Sequence, residues 1–302
     1  MIRRTPVRRA ATALLLASAL AVTGCSGHGK TTGKRHKSAA RQGSSAAPTQ
    51  REQQQRRQAL PKTAAQFVAR ARRTMGDAHG WTFALHGTQA LVMDGAAPNR
   101  ATYDATAYRT MSPVAYRSEG GVLRKGARAN ERVYAVGGTG YGKQDGKAWK
   151  KGPLGDPDIA DMIEDPVAEL DTLAQYAKSA KVTGAGTRTG RVTLRVTASG
   201  WTFADARERP AFTTPVRETQ AALRQLRANG VTATDRQVTV RSFEETWVLD
   251  AAHGYRLVSH QYAFTVAVPY QGRTITHTQE MRQETRGTYG GRVTLPSDAP
   301  AA

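Results

Sequence analysis

The chain holds one cysteine, Cys25, in 302 residues. No intramolecular disulfide is open to it, so packing alone must hold any folded domain. Acidic residues are scarce, 24 against 44 Lys and Arg, which leaves a net charge of +20. Long apolar runs are missing too. The longest such stretch, Ala10 to Val22, has 13 residues, short of the roughly 20 that a helix needs to cross a bilayer. There is no Gly-x-Ser-x-Gly elbow and no cysteine placed for catalysis, so the hydrolase signatures that are legible from spacing are absent. The chain is expected not to be an enzyme.

What is present begins at the N-terminus. Arg3, Arg4, Arg8 and Arg9 precede the apolar stretch, and small residues follow it at Val22-Thr23-Gly24-Cys25. A charged region, a short apolar region and a small-residue cleavage site make a secretory signal. Twin-arginine export is disfavoured because Ala10-Ala11 follows Arg8-Arg9; general secretion is expected. A thiol immediately after the cut site can accept a diacylglyceryl group, and these four residues resemble the lipobox of bacterial lipoproteins. The resemblance implies cleavage after residue 24 and lipid attachment at Cys25, on the outer face of the bacterial cytoplasmic membrane.

Between Ser26 and Ala59 stand eight Lys or Arg and one acid, Glu52, among Gly, Ser, Thr, Gln and Ala. So little apolar surface cannot offset the entropy of ordering, and residues 25–59 are expected to form a disordered basic tether. Its charge favours an anionic membrane, by up to ~1 kcal/mol per cation held at the surface. Nucleic acid is not expected as a partner, because recognition needs a folded basic face with interleaved rings and this stretch contains no aromatic residue. Residues 60–302 are long enough for a single core.

Three segments of that domain read as helices. Thr63 and Gln66 match a capping box ahead of Phe67, Val68, Ala71 and Met75, with Gly76 to end the helix. Asp165-Pro166 supplies an N-cap and first residue before Val167, Leu170, Leu173, Ala174 and Ala177. Thr214-Pro215 repeats the device before Val216, Ala222, Leu223 and Leu226, closed by Gly230. The segments 81–93, 100–109, 114–124, 131–143, 191–203, 235–250, 255–268 and 273–286 are rich in β-branched and aromatic residues and are separated by turn signals. Val192, Leu194 and Val196 alternate with polar residues, as do Tyr262, Phe264, Val266 and Val268 with Gln261, Ala263, Thr265 and Ala267. The fold expected is α+β, a large curved antiparallel sheet or half-barrel with a few helices on its concave face.

This order resembles the LolA-like superfamily, most nearly its actinobacterial LppX- and LprG-type envelope lipoproteins. The residues that carry the likeness are Gly80-Trp81-Thr82-Phe83-Ala84-Leu85-His86-Gly87-Thr88, the hairpin from Tyr134 through Tyr141-Gly142-Lys143 to Trp149-Lys150-Lys151-Gly152, the helix start Asp165-Pro166, and Tyr289-Gly290-Gly291-Arg292-Val293-Thr294-Leu295-Pro296. The resemblance covers roughly residues 60 to 298. It implies an apolar cavity between sheet and helices that binds or carries lipid in the envelope. The expected wall residues are Tyr262, Phe264, Val266, Val268, Leu170 and Leu173. The same patterning also describes a filled core, which leaves a non-enzymatic protein-interaction or sensory domain as the alternative, with an envelope protein as partner.

Other motifs yield to structural readings. Gly137-Gly138-Thr139-Gly140-Tyr141-Gly142-Lys143-Gln144 nearly spells a phosphate loop, but Gln144 stands where Ser or Thr would bind magnesium, and no helix follows. The glycines are read instead as relieving a hairpin, with Asp145-Gly146 as a type I′ turn. His28, His36, His79, His86, His253, His260 and His277 show no helical metal-ligand spacing. Asp156, Asp158, Asp161, Glu164 and Asp165 lack the glycine and distal glutamate of a calcium loop and read as a solvated lead-in to a helix. No cofactor or metal is expected.

Overall fold

The computed structural model describes residues 60–186 and 189–300. The signal segment, the tether and Cys25 lie outside the described residues. Twelve strands form one antiparallel sheet: β1 Gly80–Met93, β2 Asn99–Met111, β3 Val114–Arg124, β4 Ala127–Val136, β5 Thr139–Gln144, β6 Lys150–Pro153, β7 Lys181–Thr183, β8 Arg191–Ala198, β9 Trp201–Thr202, β10 Thr239–Asp250, β11 Arg256–Tyr270 and β12 Arg273–Thr288. The order is β6-β5-β4-β3-β2-β1-β12-β11-β10-β8-β7, with β9 on β10. The sheet is therefore open, and its first and last long strands meet in the middle, with Phe83 opposite Thr285 and Leu85 opposite Gln283.

Three tight hairpins have both central residues at positive φ: Lys125-Gly126 (51°, 78°), Gly137-Gly138 (58°, 82°) and Gln271-Gly272 (47°, 73°). These are type I′ turns, whose twist matches that of the strands they join. Asp145-Gly146 does not follow the expectation, since only Gly146 is left-handed and a looser loop leads to β6. The expected strand 131–143 is thus a hairpin turning at Gly137-Gly138. The expected strand 191–203 ends at Ala198, with a short β9 and then a helix.

Among the described residues five α-helices accompany the sheet: α1 Ala64–Gly76, α2 Pro157–Ala160, α3 Pro166–Tyr176, α4 Phe203–Arg207 and α5 Thr213–Ala228. The Thr63–Gln66 capping box forms in both directions, and α1 buries Phe67, Val68, Ala71 and Met75. Asp165 caps α3 as expected, accepting from the Val167 and Ala168 amides at 3.1 and 3.3 Å. The start of α5 differs. It opens at Thr213 after the buried Phe212, with no side-chain cap, and Thr214 and Pro215 lie inside its buried first turn. Pro215 is tolerated there because the first four amides of a helix have no intrahelical acceptor. Among the described residues no helix is long and apolar enough to cross a membrane.

One core fills the space between sheet and helices. Trp247, Tyr116, Tyr262, Phe67, Phe83, Phe203, Phe243, Met75, Leu85, Leu170 and Leu173 are its largest fully buried members. A second, small cluster lies on the opposite face, where the C-terminal segment after β12 packs Val293 and Tyr289 against Ala115, Tyr134, Tyr141 and Tyr108. Asp298 pairs there with Arg132 and Lys143, at 3.1 and 3.0 Å.

Candidate functional site

The helix-covered face of the sheet holds two clefts and, between them and the core, a buried ionic network. Period-two alternation places His260 on the same face of β11 as Tyr262 and Phe264, and Glu245 on the same face of β10 as Phe243 and Trp247. The His260 ring stacks on Trp247 at 3.6 Å. Its Nε2 lies 3.0 Å from Glu245 Oε1, and its Nδ1 faces Gln283 Oε1 at 2.9 Å and Glu169 Oε2 at 2.8 Å. Both ring nitrogens face only acceptors, so the ring is held as imidazolium. Burial pushes its pKa down, yet the bonds to Glu169 and Glu245 overcome that and raise it to about 10.

The network extends through all the main elements. Tyr176 on α3 donates to Glu245 at 2.7 Å, and Gln283 on β12 donates to Glu164 at 3.0 Å. Arg217 on α5 reaches Glu218, Glu164 and Glu169 at 2.7, 3.4 and 3.6 Å. Burial pushes Glu164 well above the usual carboxylate range, against the pull of Arg217. Glu169 is also pushed up by burial, but His260 and Arg217 bring it below its ordinary value. Arg217 meets Glu169 through charge alone, at 3.6 Å, beyond hydrogen-bond distance.

The first cleft, about 330 Å³, lies between α5 and strands β1, β2, β3 and β12. Tyr103, Val122, Met162, Met281 and Ala222 supply apolar surface, and Arg124, Glu131, Asp161, Glu164, Glu218 and Glu280 the charge. Burial raises the Asp161 carboxyl to about 6. The second cleft, about 310 Å³, lies across the 160–165 segment from the first, beside β3, β4, the Gly137-Gly138 turn and α3. Ala115, Tyr116, Ala135, Leu154, Ala160, Ile163 and Ala168 line it, with Val114 at its mouth and Arg109, Asp165, Glu169 and Arg217 on the polar side. Val114 and Leu154 are 61% and 39% exposed, two of the three large exposed apolar side chains among the described residues. Arg109 Nε donates to Asp165 at 2.6 Å, so one carboxylate both caps α3 and neutralises a buried guanidinium.

The expected wall residues take other places. Leu170, Leu173, Tyr262, Val266 and Val268 are buried in the common core and line neither cleft. Phe264 is buried as well, and touches an open groove of about 590 Å³ among Thr and Ser side chains. The acidic run is a solvated lead-in only at its start, where Asp156 and Asp158 are exposed. Asp156 caps α2, Asp158 and Asp161 pair with Arg224, and Glu164 and Asp165 are buried. In the near-phosphate loop, a side chain at Gly140 would strike Ile159 and one at Gly142 would strike Met162, so the glycines admit the 154–163 segment onto β5. His253 is exposed beside Asp250, apart from the buried His260. Among the described residues no group of three His, Asp or Glu is placed to hold a metal.

Sequence reasoning missed the ionic network, although its signal was present. Extending the alternation of β11 back two residues reaches His260, and Glu169 stands beside Leu170 in the apolar stripe of α3.

No protein-family model matches the chain, and no curated protein matches it. Solved structures with some similarity include the ywiB protein from Bacillus subtilis, 9% identical over 69% of this chain and 94% of that one, with a TM-score of 0.22. A beta-barrel-like protein of domain of unknown function DUF1849 from Brucella abortus is 7% identical over 68% and 98%, TM-score 0.22. A DUF1329 family protein from Desulfovibrio piger is 7% identical over 74% and 92%, TM-score 0.27. At these TM-scores the likenesses carry no argument about this chain.

Proposed function

We propose that the chain is a non-enzymatic lipoprotein, exported and held by an acylated Cys25 on the outer face of the bacterial cytoplasmic membrane, that binds a small lipid or other apolar ligand in the envelope. The resemblance to LppX- and LprG-type lipoproteins supports this reading. The observation that carries it is the second cleft, whose mouth is made by the exposed Val114 and Leu154. Exposed apolar side chains at the rim of a concave site mark a place where an apolar group is taken from water. Both clefts lie at the low end of the ~300–1,000 Å³ of small-molecule sites, so the ligand is one short chain or a compact amphiphile, not a lipid with several long tails.

Two measurements test this. After a high-salt wash that strips charge-held protein, fractionation should find the wild-type chain in the membrane and the Cys25→Ala chain outside it; equal distribution would overturn the anchor. Solvent extraction of the purified protein followed by mass spectrometry should yield an apolar compound, and V114D/L154D should retain at least ten-fold less of it. Recovery of no such compound from either form would end the ligand reading. The filled interior around Tyr262, Val266 and Leu173 favours a second reading, a protein-interaction or sensory domain, which would instead show capture of an envelope protein by a ligand-free chain.

A further inference from the structure

The strand order places three adjacent hairpin ends, at 94–98, 125–126 and 271–272, along one edge of the sheet. Arg100, Arg124, Lys125, Arg128 and Arg273 stand at these ends, all exposed, and none is in an ion pair among the described residues. This sets them apart from much of the surface, where Arg72, Arg195, Arg207, Arg224 and Arg227 are matched to carboxylates. The acids of this edge are few. Asp94 and Asp145 accept from the backbone amides of Thr274 and Asn130, and Glu131 faces the first cleft beside Lys147 and Lys150.

Among these cations stands Leu123, 43% exposed, the third of the large exposed apolar side chains. It is directly opposite Arg128 across the β3–β4 hairpin. The Arg128 guanidinium lies along the strand over Gly121, where a Cβ would come within 2.8 Å of its Nε. An apolar side chain flanked by long cationic ones suits the interface between hydrocarbon and phosphate, where the leucine sinks and the cations stay at headgroup level.

We propose that this edge docks on an anionic phospholipid surface, with Arg100, Arg124, Lys125, Arg128 and Arg273 against phosphates and Leu123 in the acyl boundary. Charge complementarity identifies the occupant, and the inference rests on the reading of the chain as held beside a membrane. Val122 and Arg124 of this edge also line the first cleft. The second cleft, bounded by Val114 and Gly137-Gly138, opens at the opposite edge.

The test is co-sedimentation of the non-acylated Cys25→Ala chain, tether included, with phosphatidylcholine vesicles that contain or lack phosphatidylglycerol. Each cation at such a surface is worth about five-fold in binding, so R124Q/K125Q/R128Q is expected to weaken binding to the anionic vesicles roughly 100-fold. Leu123→Ser should cost roughly ten-fold. K178Q/K181Q/R191Q removes three exposed cations elsewhere and should leave binding within about two-fold. Equal losses from the two triple variants would overturn the proposal, because binding would then follow net charge alone. It would also fall if the hairpin triple weakened binding to soluble polyphosphate and left vesicle binding unchanged, which would assign the edge to an anionic polymer. These chains carry no acyl group, and the salt wash in the fractionation removes charge-held binding, so failure of this proposal and failure of the Cys25 anchor are told apart.

Discussion

Asp165 concentrates two duties in one side chain. It caps α3 with one oxygen and holds the buried Arg109 with the other. Asp165→Ala should therefore lower unfolding free energy by about 3–5 kcal/mol, chiefly because a guanidinium is left buried without its partner; urea denaturation measures it. Gly140→Ala acts by crowding. Its new methyl would meet Ile159, and relieving that overlap should cost about 1–3 kcal/mol. His277 supplies a pH dependence. Gln89 Nε2 donates to its Nε2 at 3.0 Å, its Nδ1 has no partner, and burial pushes its pKa down to about 4. Below its unfolded value near 6.5, the unfolded chain binds a proton that the folded chain refuses. The contribution of His277 is thus complete above pH 6.5 and is lost as pH falls toward 4. Relative to His277→Gln, the wild type should lose about 3 kcal/mol across that window. Parallel melts of the two proteins isolate the effect, since all other groups are shared.

At the scale of elements, helix starts were readable where a side chain closes the first turn. Thr63 and Gln66 do this locally, through partners three residues apart, and Thr63→Ala should cost about 1 kcal/mol by thermal or chemical melting. The start of α5 departs from the expected one because Phe212 enters the core, and that tertiary anchor outweighs the local preference of Thr214-Pro215. The C-terminal segment has no periodicity to announce it, yet Tyr289 and Val293 cover Tyr108, Tyr134 and Tyr141 on the outer face. Truncation after Thr288 should expose those rings. A lower denaturation midpoint and a rise in apolar-dye binding are the expected results.

At the scale of the molecule, a strongly basic chain keeps a group of carboxylates inside. Glu164, Glu169 and Glu245 converge on His260 and Arg217 from α3, the segment before it, β10, β11 and α5. Breaking such a cluster on one side leaves an uncompensated charge, so the network locks helices to sheet while lining the inner ends of both clefts with polar atoms. The raised pKa of His260 makes its contribution complete below pH 6.5, declining as pH rises through about 10.

Alternation of apolar and polar residues, turn glycines and two helix caps determined the strands, the hairpins and the starts of α1 and α3, because each of those signals acts between residues close along the chain. Which apolar faces would meet was decided only by tertiary structure. Tyr262, Val266, Leu170 and Leu173 have the pattern of a cavity wall and of a core alike, and α1, packed against both β11 and α3, filled the space with Phe67 and Val68. The meeting of Glu169 with Glu245 and His260 joins α3 to the paired strands β10 and β11, far along the chain, and only the folded sheet sets that distance.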